Sequence, residues 1–147
     1  MIAEIILEKF IRDLGQLKEE LSLYKNESDL WVIKGDIKNA PGNLALHLIG
    51  NLKHFIGATL GNTGYVRQRD KEFSDKNVSK AVLLSEIDEV IATMKKVLPT
   101  LKDEDLAKTF PLEFLGKKVL TIEMLIQLYG HFNYHLGQIN YHRRLIH

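Results

Sequence analysis

Two histidines near the C-terminus have a spacing that suits a metal ion. The chain reads H-F-N-Y-H from His131 to His135, and residues four apart lie on one face of an α-helix, one turn apart. Their Cβ atoms are then expected about 6 Å apart, which lets two imidazoles meet the same ion. His142 shares this stripe but lies about 10 Å further along the helix axis than His135, too far for the same ion.

A third imidazole is expected from an earlier helix. His47 stands in L-A-L-H-L-I-G, among apolar residues that predict a core-facing position. A bundle that places His47 opposite His131 and His135 forms a site of three imidazoles, and imidazole suits Zn²⁺, Ni²⁺ and Fe²⁺. Three protein ligands leave coordination positions open, which is typical of catalytic metal sites. The alternative is a plain bundle without metal, because H-x-x-x-H also occurs by chance and histidines at a core edge often only form hydrogen bonds.

Other kinds of metal site are excluded by the residues present. The zinc-protease motif H-E-x-x-H is absent, since Phe-Asn-Tyr separates His131 from His135. No Glu precedes a histidine of this segment by three residues, so the carboxylate pattern of di-iron bundles is missing. The chain has no cysteine, which removes disulfides, cysteine zinc sites and a thiol nucleophile of its own.

Four segments show the three- and four-residue periodicity of amphipathic helices. We predict these helices at about 2–25, 43–61, 79–98 and from 121 almost to the C-terminus. Four such helices in one short chain predict an all-α fold, a four-helix bundle with long connectors, in a single domain over residues 1–147. Residues 100–120 are expected to form either a short strand pair that turns at Gly116 and Lys117, or a loop.

Composition and charge exclude several classes of function. The 147 residues are 45% hydrophobic and 27% charged, which is ordinary for a soluble globular protein. The formal net charge of +1 predicts no strong attraction to nucleic acid or to an anionic membrane. The first residues carry acids between apolar ones, so they do not resemble a signal peptide, and no stretch is long enough to span a bilayer. We therefore expect a cytoplasmic protein.

Residues near the three histidines are candidates for supporting roles. Asn51, Tyr134 and Gln138 fall close to the expected ligands in helical projection, where they could orient an imidazole or simply pack between helices. His54 is expected at the surface or behind the ligands.

A dense charged run follows the glycine-rich end of the second helix. Its simplest interpretation is a solvated connector with weak local ion pairs. The functional alternative is that Arg67 or Arg69 reaches over the mouth of the bundle and holds a substrate anion in bidentate fashion.

Three stretches of the chain resemble the DinB-like (YfiT-like) superfamily of metal-binding four-helix bundles. They are G-N-L-A-L-H-L-I-G-N-L-K-H-F-I, R-Q-R-D-K-E-F and H-F-N-Y-H-L-G-Q-I-N-Y, and the resemblance extends over nearly the whole chain, towards an uncharacterised bacterial subgroup. It implies a divalent ion held by one histidine of the second helix and an H-x-x-x-H pair of the last, which correspond to His47, His131 and His135. It also implies a homodimer.

The resemblance leaves two functions open. Some members are S-transferases that use a low-molecular-weight thiol such as mycothiol, bacillithiol or glutathione, whereas others have no known activity. By analogy, the chain is expected to be a metal-dependent thiol transferase acting on small electrophiles, or a non-catalytic metal-binding bundle that serves a stress response or binds a small-molecule ligand.

Overall fold

The four predicted helices all form and pack around one core. The computed structural model describes residues 1–147. Its helices are α1 (Ile2–Ser22), α2 (Pro41–Leu52), α3 (Arg69–Ser74), α4 (Lys80–Val97), α5 (Asp103–Leu106) and α6 (Thr121–Ile146). The apolar faces of α1, α2, α4 and α6 meet in a single cluster of buried side chains. The predicted all-α bundle is confirmed, and no helix is both long and apolar enough to cross a lipid bilayer.

The second helix differs from its predicted form at both ends. It begins at Pro41, whose fixed φ suits the first helical position, rather than near Asn43. Asn43 is buried and its amide donates to the carbonyl oxygens of Glu72 and Asp75, at 3.0 and 2.8 Å. After Leu52 the helix continues as a π-helix over Lys53–Leu60, a form that is often found near functional sites.

Helices α2 and α6 run antiparallel, and this sets the register of the histidines. The first residues of α2, Pro41 and Leu44, share a cavity wall with Tyr141 from the later part of α6. Further along α2, His47 meets His131, ten residues before Tyr141. Moving along α2 from its start therefore corresponds to moving backwards along α6.

The connectors contain structure that the periodicity did not predict. Two short helices, α3 and α5, lie in the second and third connectors. Residues 100–120 form two isolated bridges, Thr109 with Leu120 and Phe114 with Lys117, rather than a strand pair. The turn between the inner pair uses Leu115 and Gly116, which both have positive φ.

Candidate metal centre

Three histidines from two helices converge at the α2–α6 interface. The imidazoles of His47, His131 and His135 offer one nitrogen each, and these atoms all lie within 4.8 Å of one another. Nε2 of His47 lies 3.0 Å from Nε2 of His131, close to the roughly 3.3 Å between two nitrogens on one tetrahedral ion with bonds of about 2.05 Å. The structure thus brings together the three residues that the sequence predicted as ligands.

Hydrogen bonds on the far side of two rings fix which nitrogen faces the centre. Nδ1 of His47 donates to Oε1 of Glu72 at 2.9 Å, and Nδ1 of His135 donates to Oε1 of Gln138 at 2.7 Å. A proton held on Nδ1 leaves Nε2 with its lone pair. Acceptors behind the rings are the usual partners of metal-binding histidines, because they set the tautomer and raise the basicity of the ligand.

Glu72 on α3 connects His47 to an arginine. Arg67 binds its carboxylate with two nitrogens, Nε at 2.9 Å and Nη2 at 3.0 Å. Glu72 is only 6% exposed. Burial alone would raise the pKa of Glu72, but the hydrogen bonds from His47 and Arg67 outweigh it and hold that pKa below its usual value. Glu72 therefore remains a carboxylate, which favours the Nδ1–H tautomer of His47.

Gly50 makes room for this carboxylate on the surface of α2. A Cβ at residue 50 would collide with Oε2 and Cδ of Glu72. The close approach of α3 to α2 therefore requires glycine at this position.

We expect Gly50→Ala to destabilise the protein by about 1–3 kcal/mol, because the added methyl overpacks the site and displaces Glu72 from His47 and Arg67. Urea unfolding checks this. Gly137→Ala on α6 is the matched control: nothing lies near its added Cβ, so the better helix propensity of alanine should stabilise the protein by up to about 1 kcal/mol. Equal stability changes for the two variants would contradict the contact between Gly50 and Glu72.

The electrostatics of the cluster favour neutral imidazoles. Burial, followed by the neighbouring His135 and His47, lowers the pKa of His131 to about 4. Burial also lowers the pKa of His135. Both rings are therefore uncharged at neutral pH, and this is the form that binds a metal ion.

Two buried side-chain polar atoms have no hydrogen-bond partner, one in the histidine cluster and one a single helical turn after His47. They are Nδ1 of His131 and Oδ1 of Asn51. When Nε2 of a histidine binds an ion, its proton sits on Nδ1 and needs an acceptor. The residues present therefore fit a divalent ion: three imidazole nitrogens converge, two of the rings have acceptors behind them, and Nδ1 of the third is buried without a partner.

Other predicted residues occupy different places. Tyr134 is 66% exposed, with its ring against His135 at 5.3 Å between centroids. Arg69 is exposed and lies over the ring of Phe73. Arg67 binds Glu72, so its guanidinium is engaged inside the protein rather than solvated in a connector.

The remaining two helix histidines lie outside the cluster. His54 is two turns from His47, about 10 Å along the axis, and belongs to the π-helical segment. His142 is buried and structural: Nε2 donates to the carbonyl oxygen of Val32 at 2.9 Å, and Nδ1 lies 2.8 Å from the hydroxyl of Tyr24.

Sequence reasoning did not identify Glu72 as part of the site. It follows an unbroken run of charged and polar residues, 67–71, and α3 is too short for periodicity to reveal a buried face. The only hint was Gly50 in α2, since a glycine inside a helix often marks a close approach.

A cavity of about 710 Å³ adjoins the histidine cluster. Its walls come from the connector 34–39, the start of α2 and the second half of α6, and His135 is one of the lining residues. A molecule in this cavity would therefore contact the ring of His135.

Comparisons with known proteins place the chain without naming an activity. A family model described as "Protein of unknown function (DUF1572)" matches residues 7–147. No curated protein matches significantly. The crystal structure of a conserved protein from Enterococcus faecalis superposes with a TM-score of 0.77, covering 99% of this chain and 96% of that one, at 17% sequence identity. That likeness concerns the fold.

Proposed function

Since this chain belongs to the DUF1572 family, for which no function is established, we propose a role from its own geometry: it binds a divalent metal ion through His47, His131 and His135. The convergence of three imidazole nitrogens within 4.8 Å, from two facing helices, is the observation that carries this proposal. Three ligands from the protein leave positions open for a small molecule.

We further propose that the protein is DinB-like and catalyses metal-dependent transfer of a low-molecular-weight thiol to a small electrophile. The resemblance in the histidine-bearing stretches supports this, and so does the cavity beside His135. A bound divalent ion supplies Lewis-acid chemistry that lowers the pKa of a thiol. The chain has no cysteine, so the sulfur must come from outside. The sulfur forms a bond to the electrophilic carbon, the bond from that carbon to its leaving group breaks, and the leaving group (chloride in the case of monochlorobimane) and the thiol proton pass to solvent.

A thiol-transfer assay tests this function. Zinc-loaded protein is incubated with monochlorobimane and, in turn, glutathione, bacillithiol or mycothiol, and the fluorescent adduct is measured. We expect turnover above background that disappears in His131→Ala and persists in His54→Ala. If zinc binds but no thiol reacts faster, the catalytic part of the proposal is wrong, and the non-catalytic binding protein becomes the better explanation.

We infer that Asn51 is the missing acceptor for His131. The ring of His47 packs against both His131 and His135, with centroids 4.9 and 5.4 Å away. Helices α2 and α6 are antiparallel. Going one turn forward on α2, from His47 to Asn51, therefore leads the same way as going one turn back on α6, from His135 to His131. Asn51 is only 8% exposed, so its Oδ1 can accept from Nδ1 of His131 after a small rotation or through one buried water.

Asn51→Leu should change stability and metal affinity in opposite directions. Removing a buried acceptor without a partner is expected to raise the stability of the metal-free protein by about 1 kcal/mol. The loss of the group behind His131 should weaken zinc binding roughly 10- to 100-fold. Chemical denaturation with chelator and a competitive zinc titration measure the two effects. Asn43→Leu is the contrast, because Asn43 is fully hydrogen-bonded and its loss should destabilise the protein. Unchanged zinc affinity in Asn51→Leu would exclude this role.

A further inference from the structure

The cavity beside His135 has the size of a small-molecule site. Its volume of about 710 Å³ falls within the roughly 300–1,000 Å³ of ligand pockets. It lies between a connector turn and two helices that pack on the bundle core. Only His135 of the three cluster histidines lines it, which puts the cavity to one side of the cluster.

The start of α2 and the last turns of α6 contribute apolar side chains to the cavity. Tyr141 and Leu145 line it and are 66% and 71% exposed, and Leu44 from α2 lies at its inner side. Covering such side chains with an apolar group removes hydrophobic surface from water and favours binding. A ligand with an aromatic or aliphatic body matches this wall.

The polar groups of the cavity are mostly hydrogen-bond donors without partners. Lys34 and Lys38 line it and take part in no ion pair. Gln138 uses its oxygen to accept from His135, which leaves its amide N–H groups free to donate. Asp36 is the one carboxylate in the lining. Two ammonium groups and an amide donor favour an anionic acceptor over a cation.

We propose that this cavity binds a small organic acid, with its apolar body against Tyr141 and Leu145 and its carboxylate towards Lys34, Lys38 and Gln138. The acid's role as the substrate rests on the proposed function, since the cavity places it against His135. Binding itself requires no metal ion.

Three ligands with the same body and different head groups test the proposal. Isothermal titration calorimetry of the full chain with 4-phenylbutyrate, 4-phenyl-1-butanol and 4-phenylbutylamine is carried out with chelator and again with zinc. We expect the acid to bind tightest and the amine weakest, with the acid roughly fivefold or more ahead of the alcohol, in line with partly exposed ion pairs. No binding of any ligand at millimolar concentration would overturn the proposal.

Substitutions of lining residues show which side chains contact the head group of the ligand and which contact its apolar body. The double variant Lys34→Ala and Lys38→Ala should reduce the affinity for the acid to that for the alcohol. The double variant Lys117→Ala and Lys118→Ala makes an equal charge change at exposed positions outside the cavity. It should leave the affinity for the acid unchanged. Tyr141→Ala should weaken all three ligands alike. Equal binding of acid and amine, or an unchanged acid affinity in the Lys34 and Lys38 variant, would disprove the proposal.

These measurements distinguish a failure of the cavity proposal from a failure of the metal-site proposal. Acid binding with chelator, in a chain that takes up no zinc, would support the cavity and reject the metal site. Zinc uptake without acid binding would reject the cavity alone.

Discussion

Replacing Glu72 with alanine is expected to destabilise the metal-free protein by about 3 kcal/mol. The substitution removes one partner of a buried pair and leaves the Arg67 guanidinium without a counter-charge, which typically costs about 3–5 kcal/mol. The side chain of Arg67 is 12% exposed and lies in a connector, so water can partly solvate its guanidinium after the substitution. We therefore expect a loss of stability at the lower end of this range. Urea denaturation with chelator present measures the difference.

Two further variants test whether the stability depends on the negative charge of Glu72 and on its position in α3. Glu72→Gln keeps an acceptor for His47 and Arg67 but removes the negative charge, so it should cost less than alanine, about 1–2 kcal/mol. Asp70→Ala, on the same helix but exposed and in no ion pair, should change stability by no more than about 0.5 kcal/mol. If Glu72→Ala were as mild as Asp70→Ala, the Arg67–Glu72–His47 chain would contribute nothing to the fold.

The same residue, Glu72, couples folding to the candidate metal centre. Asn43 holds the backbone of α3 against α2 through the carbonyl oxygens of Glu72 and Asp75. This anchoring places the Glu72 carboxylate behind His47, while Gly50 allows the two helices to approach. The connector is therefore part of the site, because without α3 the tautomer of His47 would not be set by a carboxylate.

The long helices and the three clustered histidines could be predicted because each leaves a periodic pattern. Apolar residues at steps of three and four mark a buried helical face, and a histidine on such a face is directed inwards. His131 and His135 follow from the helical repeat, and His47 from its apolar neighbours. The antiparallel direction of α2 relative to α6 comes from tertiary packing and leaves no mark in the local pattern.

The supporting residues could not be predicted for a different reason. Glu72 lies on a helix of six residues, too short for periodicity, and is buried by a partner brought from the connector. The π-helix after Leu52 also could not be predicted from 3.6-residue periodicity, because its turns are wider than those of an α-helix. The homodimer stays a prediction, because exposed apolar residues are common on monomers and their presence alone does not mark a subunit interface.

Metal content gives the largest expected effect. Protein prepared without a histidine tag should take up close to one divalent ion per chain, and His131→Ala should bind it at least a hundredfold more weakly. Even groups behind metal ligands typically change affinity by about 10–100-fold, and His131 offers a nitrogen of its own. Elemental analysis and a competitive zinc titration of the metal-free protein give the two values.

Stability provides an independent measure of the same site. Zinc at a hundred times its dissociation constant should stabilise the folded wild-type protein by about 2.7 kcal/mol, because it binds the native state and not the unfolded chain. The same zinc concentration should give His131→Ala less than about 0.5 kcal/mol. Comparing each variant with and without zinc removes any change that the substitution makes to the metal-free fold. His54→Ala, with a histidine outside the cluster, should keep the full zinc effect. An equal zinc effect in wild-type protein and His131→Ala would show that the three imidazoles do not act together on one ion.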